Sequence, residues 1–227
     1  MNPWEVLFDR AISIIHTVEK NAGGSFPWRF GGGTVLMLRY AHRKSKDIDI
    51  FVRDVQLLTW FSPRVNDIDG VEDYTERSNF VKISFPEGEV DFVVAPTLTE
   101  NPFYETEIHG VPCCMESPDE IVIKKLFYRA ESLKVRDLVD LAVVLQDPGN
   151  QLSRYNSLLL SKQNVLKNRI YQLSRVYKKQ VEEIEFSEKG RFLKEIALDM
   201  SQEFVAKIGT KQYQESGQPE EGDLSPR

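Results

Sequence analysis

Residues 31–52 read GGGTVLMLRYAHRKSKDIDIFV, and the two ends of this stretch decide the fold. Gly31-Gly32-Gly33-Thr34 opens it and Asp47-Ile48-Asp49 comes near its close. Thr34 to Ala41 reads as a short helix. From Asp47 to Arg53 acids and aliphatics alternate, so Ile48, Ile50 and Val52 share one strand face while Asp47, Asp49 and Phe51 share the other. A glycine turn at a helix start lets backbone amides approach phosphates at the positive end of the helix dipole. Two carboxylates one residue apart on a strand suit Mg²⁺ or Mn²⁺, hard cations that keep waters and bridge substrate phosphates.

Each signal alone is weak. An Asp-x-Asp pair is most often a solvated strand face, and a glycine run most often only a turn. Asp91, between Val90 and Phe92 inside a later strand-like run, alters the balance. A third carboxylate on a neighbouring strand lets a second metal lower the pKa of an attacking hydroxyl while the first holds a leaving pyrophosphate.

Around this centre the pattern is mixed. Residues 3–20 form an amphipathic helix with Val6, Leu7, Ile14, Ile15 and Val18 on its stripe, ended by Asn21-Ala22-Gly23-Gly24-Ser25. A helix is expected over Gln56–Arg64 and a loop at Asp67-Ile68-Asp69-Gly70. Phe80–Phe85 and Glu89–Ala95 flank Pro86-Glu87-Gly88 as a hairpin, and two short strands follow over Tyr104–His109 and Val111–Met115. Ser117-Pro118-Asp119-Glu120 is a helix start, with Ser117 as N-cap, Pro118 in the first turn and Glu120 closing a capping box. Helices are expected over 118–131, 135–146, 152–181 with a break, and 187–208. The fold class is therefore α+β: a mixed core over residues 1–116, a helical lobe over 117–208, and a disordered tail over 209–227 rich in Gln, Glu, Gly, Ser and Pro.

An apolar fraction of 41% with 11% aromatics fits a folded globular chain. No run of about 18 apolar residues is present, so no membrane span is expected. The N-terminus shows no secretory pattern. Cys113 and Cys114 are adjacent and lack further ligands nearby, which removes both a disulfide framework and a structural zinc site. A reduced, cytoplasmic protein is the expectation. Net charge is −6, but no Asp or Glu occurs from Pro148 to Val181, a segment of local charge +7.

The run Gly32-Gly33-Thr34-x7-His42-Arg43-x-Ser45-x-Asp47-Ile48-Asp49 resembles the signature of the AbiEii-type nucleotidyltransferases. That family lies in the DNA polymerase beta-like superfamily and includes toxins of abortive-infection and type IV toxin–antitoxin systems. Lys125-Leu126 and Arg136-Asp137-x2-Asp140-Leu141 extend the resemblance, which covers roughly residues 28–146. It implies a polymerase-beta-like core and transfer of NMP from NTP with release of pyrophosphate. It also implies metal-binding Asp47 and Asp49 with Asp91 as the third carboxylate, and a phosphate-contacting turn at Gly33-Thr34. Gly32 and Ser45 of the same run are counted with the nucleotide contacts, and Arg43, beside Lys44 and Lys46, suits either a phosphate contact or a solvated loop. Lys125 and a downstream acid would be functional. The spacing from Lys125 to Asp137 is compressed relative to the family, so that acid is Asp137 or Asp140. A cognate antitoxin is the implied partner.

From the residues themselves, Lys125 suits triphosphate charge but also a solvated helix face. Asp137 and Asp140 share a face, and Arg136 with Asp140 at i,i+4 would make an ordinary helix ion pair. His42 reads as structural. In the acid-free segment Leu166, Ile170, Leu173 and Tyr177 form a buried stripe, and Lys167, Tyr171, Arg175 and Lys178 an adjoining face with an aromatic among cations. Such a face suits a phosphate backbone, with Tyr171 placed to stack. The acceptor expected is RNA, such as a tRNA 3′ end, ahead of a protein side chain. The rival reading is a non-catalytic module that engages an antitoxin or nucleic acid; a Mg²⁺-dependent nuclease is the third, and it would not need the glycine-hydroxyl turn.

Overall fold

The computed structural model describes residues 2–209, so the expected tail beyond Gly209 lies outside the described residues. Helix α1 (Pro3–Ala22) starts where the Glu5 carboxylate accepts the Asn2 backbone N–H, and it ends at Gly23 in the left-handed region (φ 80°). Strand β1 (Trp28–Gly31), helix α2 (Gly32–Tyr40) and strand β2 (Ile48–Val52) follow. Then come α3 (Leu58–Phe61), β3 (Asp73–Arg77), β4 (Phe80–Phe85), β5 (Gly88–Val94), β6 (Phe103–Ile108) and β7 (Val111–Glu116). The remainder is helical: α4 (Pro118–Tyr128), α5 (Val135–Leu145), α6 (Asn156–Leu159), α7 (Gln163–Ser174), α8 (Tyr177–Gln180) and α9 (Leu193–Lys207).

The strands form one mixed sheet in the order β3-β4-β5-β2-β1-β7-β6. The β2–β5 and β1–β7 pairs are parallel and the other neighbours antiparallel. Alternation gives the sheet two unlike faces. Ile48, Ile50 and Val52 join Val81, Ile83, Val90 and Phe92 on one face, buried against α1 through Leu7, Phe8, Ala11 and Ile15. Phe92 also stacks on Phe61 of α3 at 4.0 Å between ring centroids. Each such side chain stabilises the fold by about 1.5–3 kcal/mol when fully removed from water. The other face carries the acids.

Some local expectations are corrected, and one strand, β3, stands where none was expected. The helix expected over Gln56–Arg64 is a single 3₁₀ turn at Val55–Leu57 followed by α3, and it stops at Ser62 because Pro63 drives the preceding residue into extended backbone (Ser62 ψ 131°). Strand β3 carries no alternation, since Asp73-Tyr74-Thr75-Glu76-Arg77 is an edge strand exposed or half-exposed throughout. The region 152–181 divides into short pieces, of which α7 is the longest at 12 residues. At the other boundary the Ser117 hydroxyl accepts the Glu120 backbone N–H at 3.3 Å and α4 begins on Pro118. The expected capping box does not close, because the Glu120 carboxylate accepts the Leu98 and Thr99 backbone N–H groups instead. One continuous apolar core runs from α1 through the sheet to α9.

Candidate active site

Strand pairing sets the acids in a row. Asp49 on β2 lies opposite Asp91 on β5 and opposite Gly31 on β1, and Asp91 in turn lies opposite Lys82 on β4. These residues share the face away from the α1 core. Asp47 immediately precedes β2, and its carboxylate accepts the Glu89 backbone N–H at 3.3 Å at the end of the sheet. Among the described residues, no three His, Cys, Asp or Glu side chains converge as a preformed metal cage. The sheet instead presents Asp49 and Asp91 directly opposite on neighbouring strands, with Asp47 just ahead of β2.

The three glycines serve this row in different ways. Only Gly32 needs left-handed backbone (φ 75°), and a Cβ there would lie 1.8 Å from Asp49 Oδ2. A Cβ at Gly31 would lie 2.5 Å from Glu116 Oε2, and one at Gly33 2.5 Å from Arg43 Nη2. Each glycine leaves room for a charged side chain, and the Gly32 cradle holds the Asp49 carboxylate against the start of α2.

Thr34 is fully buried, and its hydroxyl donates to the Asp47 carbonyl at 2.6 Å and sits 3.0 Å from Ser45 Oγ. The hydroxyl expected at the phosphates thus braces the glycine helix against the acid strand. Ser45, expected as a nucleotide contact, spends its backbone N–H on Met37 Sδ and its hydroxyl on Thr34. Arg43, also expected at the nucleotide, is buried. It binds Asp140 through Nε and Nη2, both at 2.8 Å, so its guanidinium lies under the glycine turn rather than open to a ligand.

Asp140 is the hub of this second cluster. Besides the bidentate Arg43 it meets His42 Nε2 at 2.8 Å and Lys125 Nζ at 2.5 Å. The helix pair expected between Arg136 and Asp140 does not form, because Asp140 faces the interior while Arg136 is exposed. Lys125 also reaches Asp137 at 3.0 Å, and Asp137 accepts the Lys134 backbone N–H at 2.8 Å to start α5. Burial opposes ionisation of Asp140, but Arg43 and Lys125 more than offset it and hold the carboxyl well below the ordinary range. Burial likewise opposes ionisation of Asp137, and Lys125 and Arg129 bring its pKa below the ordinary value.

The acid row behaves in the opposite sense. Burial, then the neighbouring Asp49 charge, push Asp91 up to about 7 against the pull of Lys82. Burial raises Asp49 as well, opposed by Lys125 and Arg129 acting through space. Asp91 Oδ1 is buried with no hydrogen-bond partner. Adjacent hard-oxygen donors, an orphaned carboxylate oxygen and excess negative charge fit a divalent cation of the Mg²⁺ type, whose remaining positions go to water and phosphate.

Sequence reading missed Lys82, 3.1 Å from Asp91 and 2.6 Å from Glu89. It missed Glu116, buried with Arg29 and Lys124, and Arg129, half-exposed and 3.8 Å from Asp137. Lys82 was recoverable, because a tight turn at Pro86-Glu87 pairs Phe85 with Gly88 and so Lys82 with Asp91. The basic face lies apart from these clusters in sequence. Lys167, Tyr171, Arg175 and Lys178 are all exposed, and the Arg175 guanidinium lies 5.0 Å from the Tyr171 ring centroid. The helix carrying them is interrupted between Ser174 and Tyr177.

A family model described as nucleotidyl transferase AbiEii toxin, type IV TA system, matches residues 21–216. No curated protein matches the chain. Among solved structures, a crystal structure of ANT(2″)-Ia in complex with adenylyl-2″-tobramycin is similar at 15% identity and a TM-score of 0.46, covering 68% of this chain and 95% of that one. A solution structure of the antibiotic-resistance factor ANT(2″)-Ia is similar at 18% identity and a TM-score of 0.42, covering 79% and 96%. Both likenesses are too distant to relate individual residues.

Proposed function

Since the chain belongs to the AbiEii family of nucleotidyl transferase toxins, we propose that its acid row is the site where NTP is bound and NMP transferred. The observation that carries this reading is the cross-strand pair of Asp49 and Asp91 beside the glycine turn. Asp47, Asp49 and Asp91 would hold Mg²⁺ or Mn²⁺, and such ions, when bound, neutralise phosphate charge and activate an attacking hydroxyl. The amides that open α2 at Gly32 and Gly33 bind phosphate oxygens, at a helix end whose dipole favours negative charge. Asp91, directly across the strand pair from Asp49, is the group placed to take the proton of the acceptor hydroxyl. The acceptor oxygen forms a bond to the α-phosphorus, the bond from the α-phosphorus to the bridging oxygen breaks, and pyrophosphate leaves with those electrons. Lys125 joins Asp137 and Asp140, and with Arg43 it fixes α4 and α5 against the glycine turn.

Residues 1–116 act as the catalytic core and 117–208 as the lobe that presents the acceptor. RNA, such as a tRNA 3′ end, is the acceptor we favour, on the strength of the acid-free segment and the exposed Tyr171–Arg175 pair. A cognate antitoxin and a cytoplasmic site of action belong to the same reading. Among the described residues no helix is long and apolar enough to cross a membrane. The test is incubation with each labelled NTP and total RNA, reading acceptor label and pyrophosphate together. Wild type should label RNA and release pyrophosphate; equal labelling by Asp49→Ala would sink the assignment.

A further inference from the structure

Lys82 sits at the centre of β4 on the acid face, where the strand otherwise presents Phe80 and Ser84. It is directly opposite Asp91, and its ammonium lies 3.1 Å from Asp91 Oδ2 and 2.6 Å from Glu89 Oε2. Four carboxylates crowd this part of the sheet, Asp47, Asp49, Glu89 and Asp91, and Lys82 is the cation in contact with them among the described residues. Lys125 is engaged by Asp137 and Asp140, and the acid within reach of Arg129 is Asp137. Like charges placed directly opposite on neighbouring strands repel, so the Asp49–Asp91 pair depends on a nearby positive charge.

Lys82 has two acids of unlike situation. Asp91 is 20% exposed and belongs to the row, while Glu89 is 41% exposed and lies nearer the rim. Lys82 itself is 31% exposed and ends in a flexible four-carbon stem. A short movement of the ammonium can therefore surrender Asp91 and keep Glu89. A divalent cation arriving at Asp91 meets a unit positive charge already seated on one of its oxygens, and it binds well only if that charge withdraws.

We propose that Lys82 is a built-in counter-cation that occupies Asp91 until substrate arrives, making divalent-cation loading at Asp91 conditional on nucleotide. This rests on the acid row being the metal and NTP site. Triphosphate oxygens supply ligands to the incoming cation and so offset the loss of the Lys82–Asp91 pair, with Glu89 retaining Lys82 in the loaded state. The enzyme then binds Mn²⁺ weakly by itself at Asp91 and tightly together with NTP.

The experiment is Mn²⁺ titration followed by electron paramagnetic resonance, with and without α,β-methylene NTPs, on wild type, Lys82→Met, Lys82→Arg and Asp91→Asn. Lys82→Met should bind Mn²⁺ on the order of tenfold more tightly without nucleotide, as expected when a unit charge about 3 Å from the ligand is removed. Nucleotide should improve Mn²⁺ affinity far less in Lys82→Met than in wild type, and Lys82→Arg should behave as wild type. Lys82→Gln serves in its place if the Met variant does not fold. Unchanged or weaker nucleotide-free Mn²⁺ affinity in the neutral variant, with wild type binding Mn²⁺ normally alongside nucleotide, overturns the proposal alone. So does weakened nucleotide binding, which would make Lys82 a phosphate ligand. Absence of Mn²⁺ binding in every protein even with nucleotide removes the metal-site reading and this proposal with it.

Discussion

The carboxylates of the sheet row and those of the helical cluster lie on either side of one glycine turn, and their partners have left them in opposite states. Asp140 has four charge-bearing or polar atoms within hydrogen-bond distance, from Arg43, His42 and Lys125, and its carboxyl is held far down. Asp91 has Lys82 on one oxygen, nothing on the other, and a second acid across the strand, and its carboxyl is pushed up to about 7. A buried acid with its partners in place is an element of construction, and removing it strands the partners. A half-buried acid short of partners, on the proposed function, is the one open to an arriving cation. On the proposed function, the chain separates a structural charge network from a reactive one on either side of the glycine turn.

The comparison breaks most severely if Asp140 proves dispensable. Asp140→Ala leaves the buried Arg43 and Lys125 without their shared counter-charge and should lower stability by about 3–5 kcal/mol at pH 7, read by urea unfolding. The folded pKa of Asp140 lies below its ordinary value of 3.8, so its contribution is complete above that value and fades as pH falls below it. Acid titration of stability should therefore show the Asp140→Ala deficit shrinking only below about pH 4.

A smaller effect is expected where the helical cluster is clamped from outside. The segment before α9 runs along the loop that carries His42 and Arg43: Lys44 N–H donates to the Glu185 carbonyl at 2.8 Å and Ser187 N–H to the His42 carbonyl at 3.1 Å. A Cβ on Gly190 would fall 1.9 Å from that His42 carbonyl oxygen. Gly190→Ala should cost about 1–3 kcal/mol by overpacking against backbone, measured by thermal unfolding. A neutral outcome would mean that the loop yields freely and that the clamp is not part of the network.

How much of this was legible in the chain depends on sequence distance. Asp47, Asp49, the glycine run and Asp91 could be read because strand alternation and a short hairpin act over a few residues. Arg43 and Asp140 lie 97 positions apart, and nothing local marks Arg43 as turned inward from a loop of exposed-looking cations. The same holds for Gly190, which has ordinary backbone and is glycine because a distant carbonyl touches it. Thr34 misled in another way: small hydroxyls near glycine turns suit phosphates, yet this one closes a hydrogen bond 13 residues along the chain. The sheet edge at β3 left no periodic trace because both its faces meet solvent.

The gentlest prediction concerns the row itself. A carboxyl whose folded pKa exceeds its unfolded value binds protons more tightly in the fold, so stability falls as pH rises from about 4 to about 7. In metal-free protein, Asp91→Asn should be the more stable form at pH 8 by about 1–2 kcal/mol, net of the lost Lys82 contact, and the advantage should vanish near pH 4. A destabilised variant at pH 8 would place Asp91 with Asp140 as a construction element and erase the contrast.

The central claim is that Asp49 belongs to the chemistry and not to the scaffold. It is tested by measuring NTP-dependent pyrophosphate release and thermal midpoint on one preparation of Asp49→Asn. The account predicts a loss of turnover of at least about 10³-fold, the scale of removing a group that stabilises transition-state charge, with the midpoint equal to wild type or higher. Turnover within a few-fold of wild type, or loss that follows a collapse of the midpoint, would contradict it.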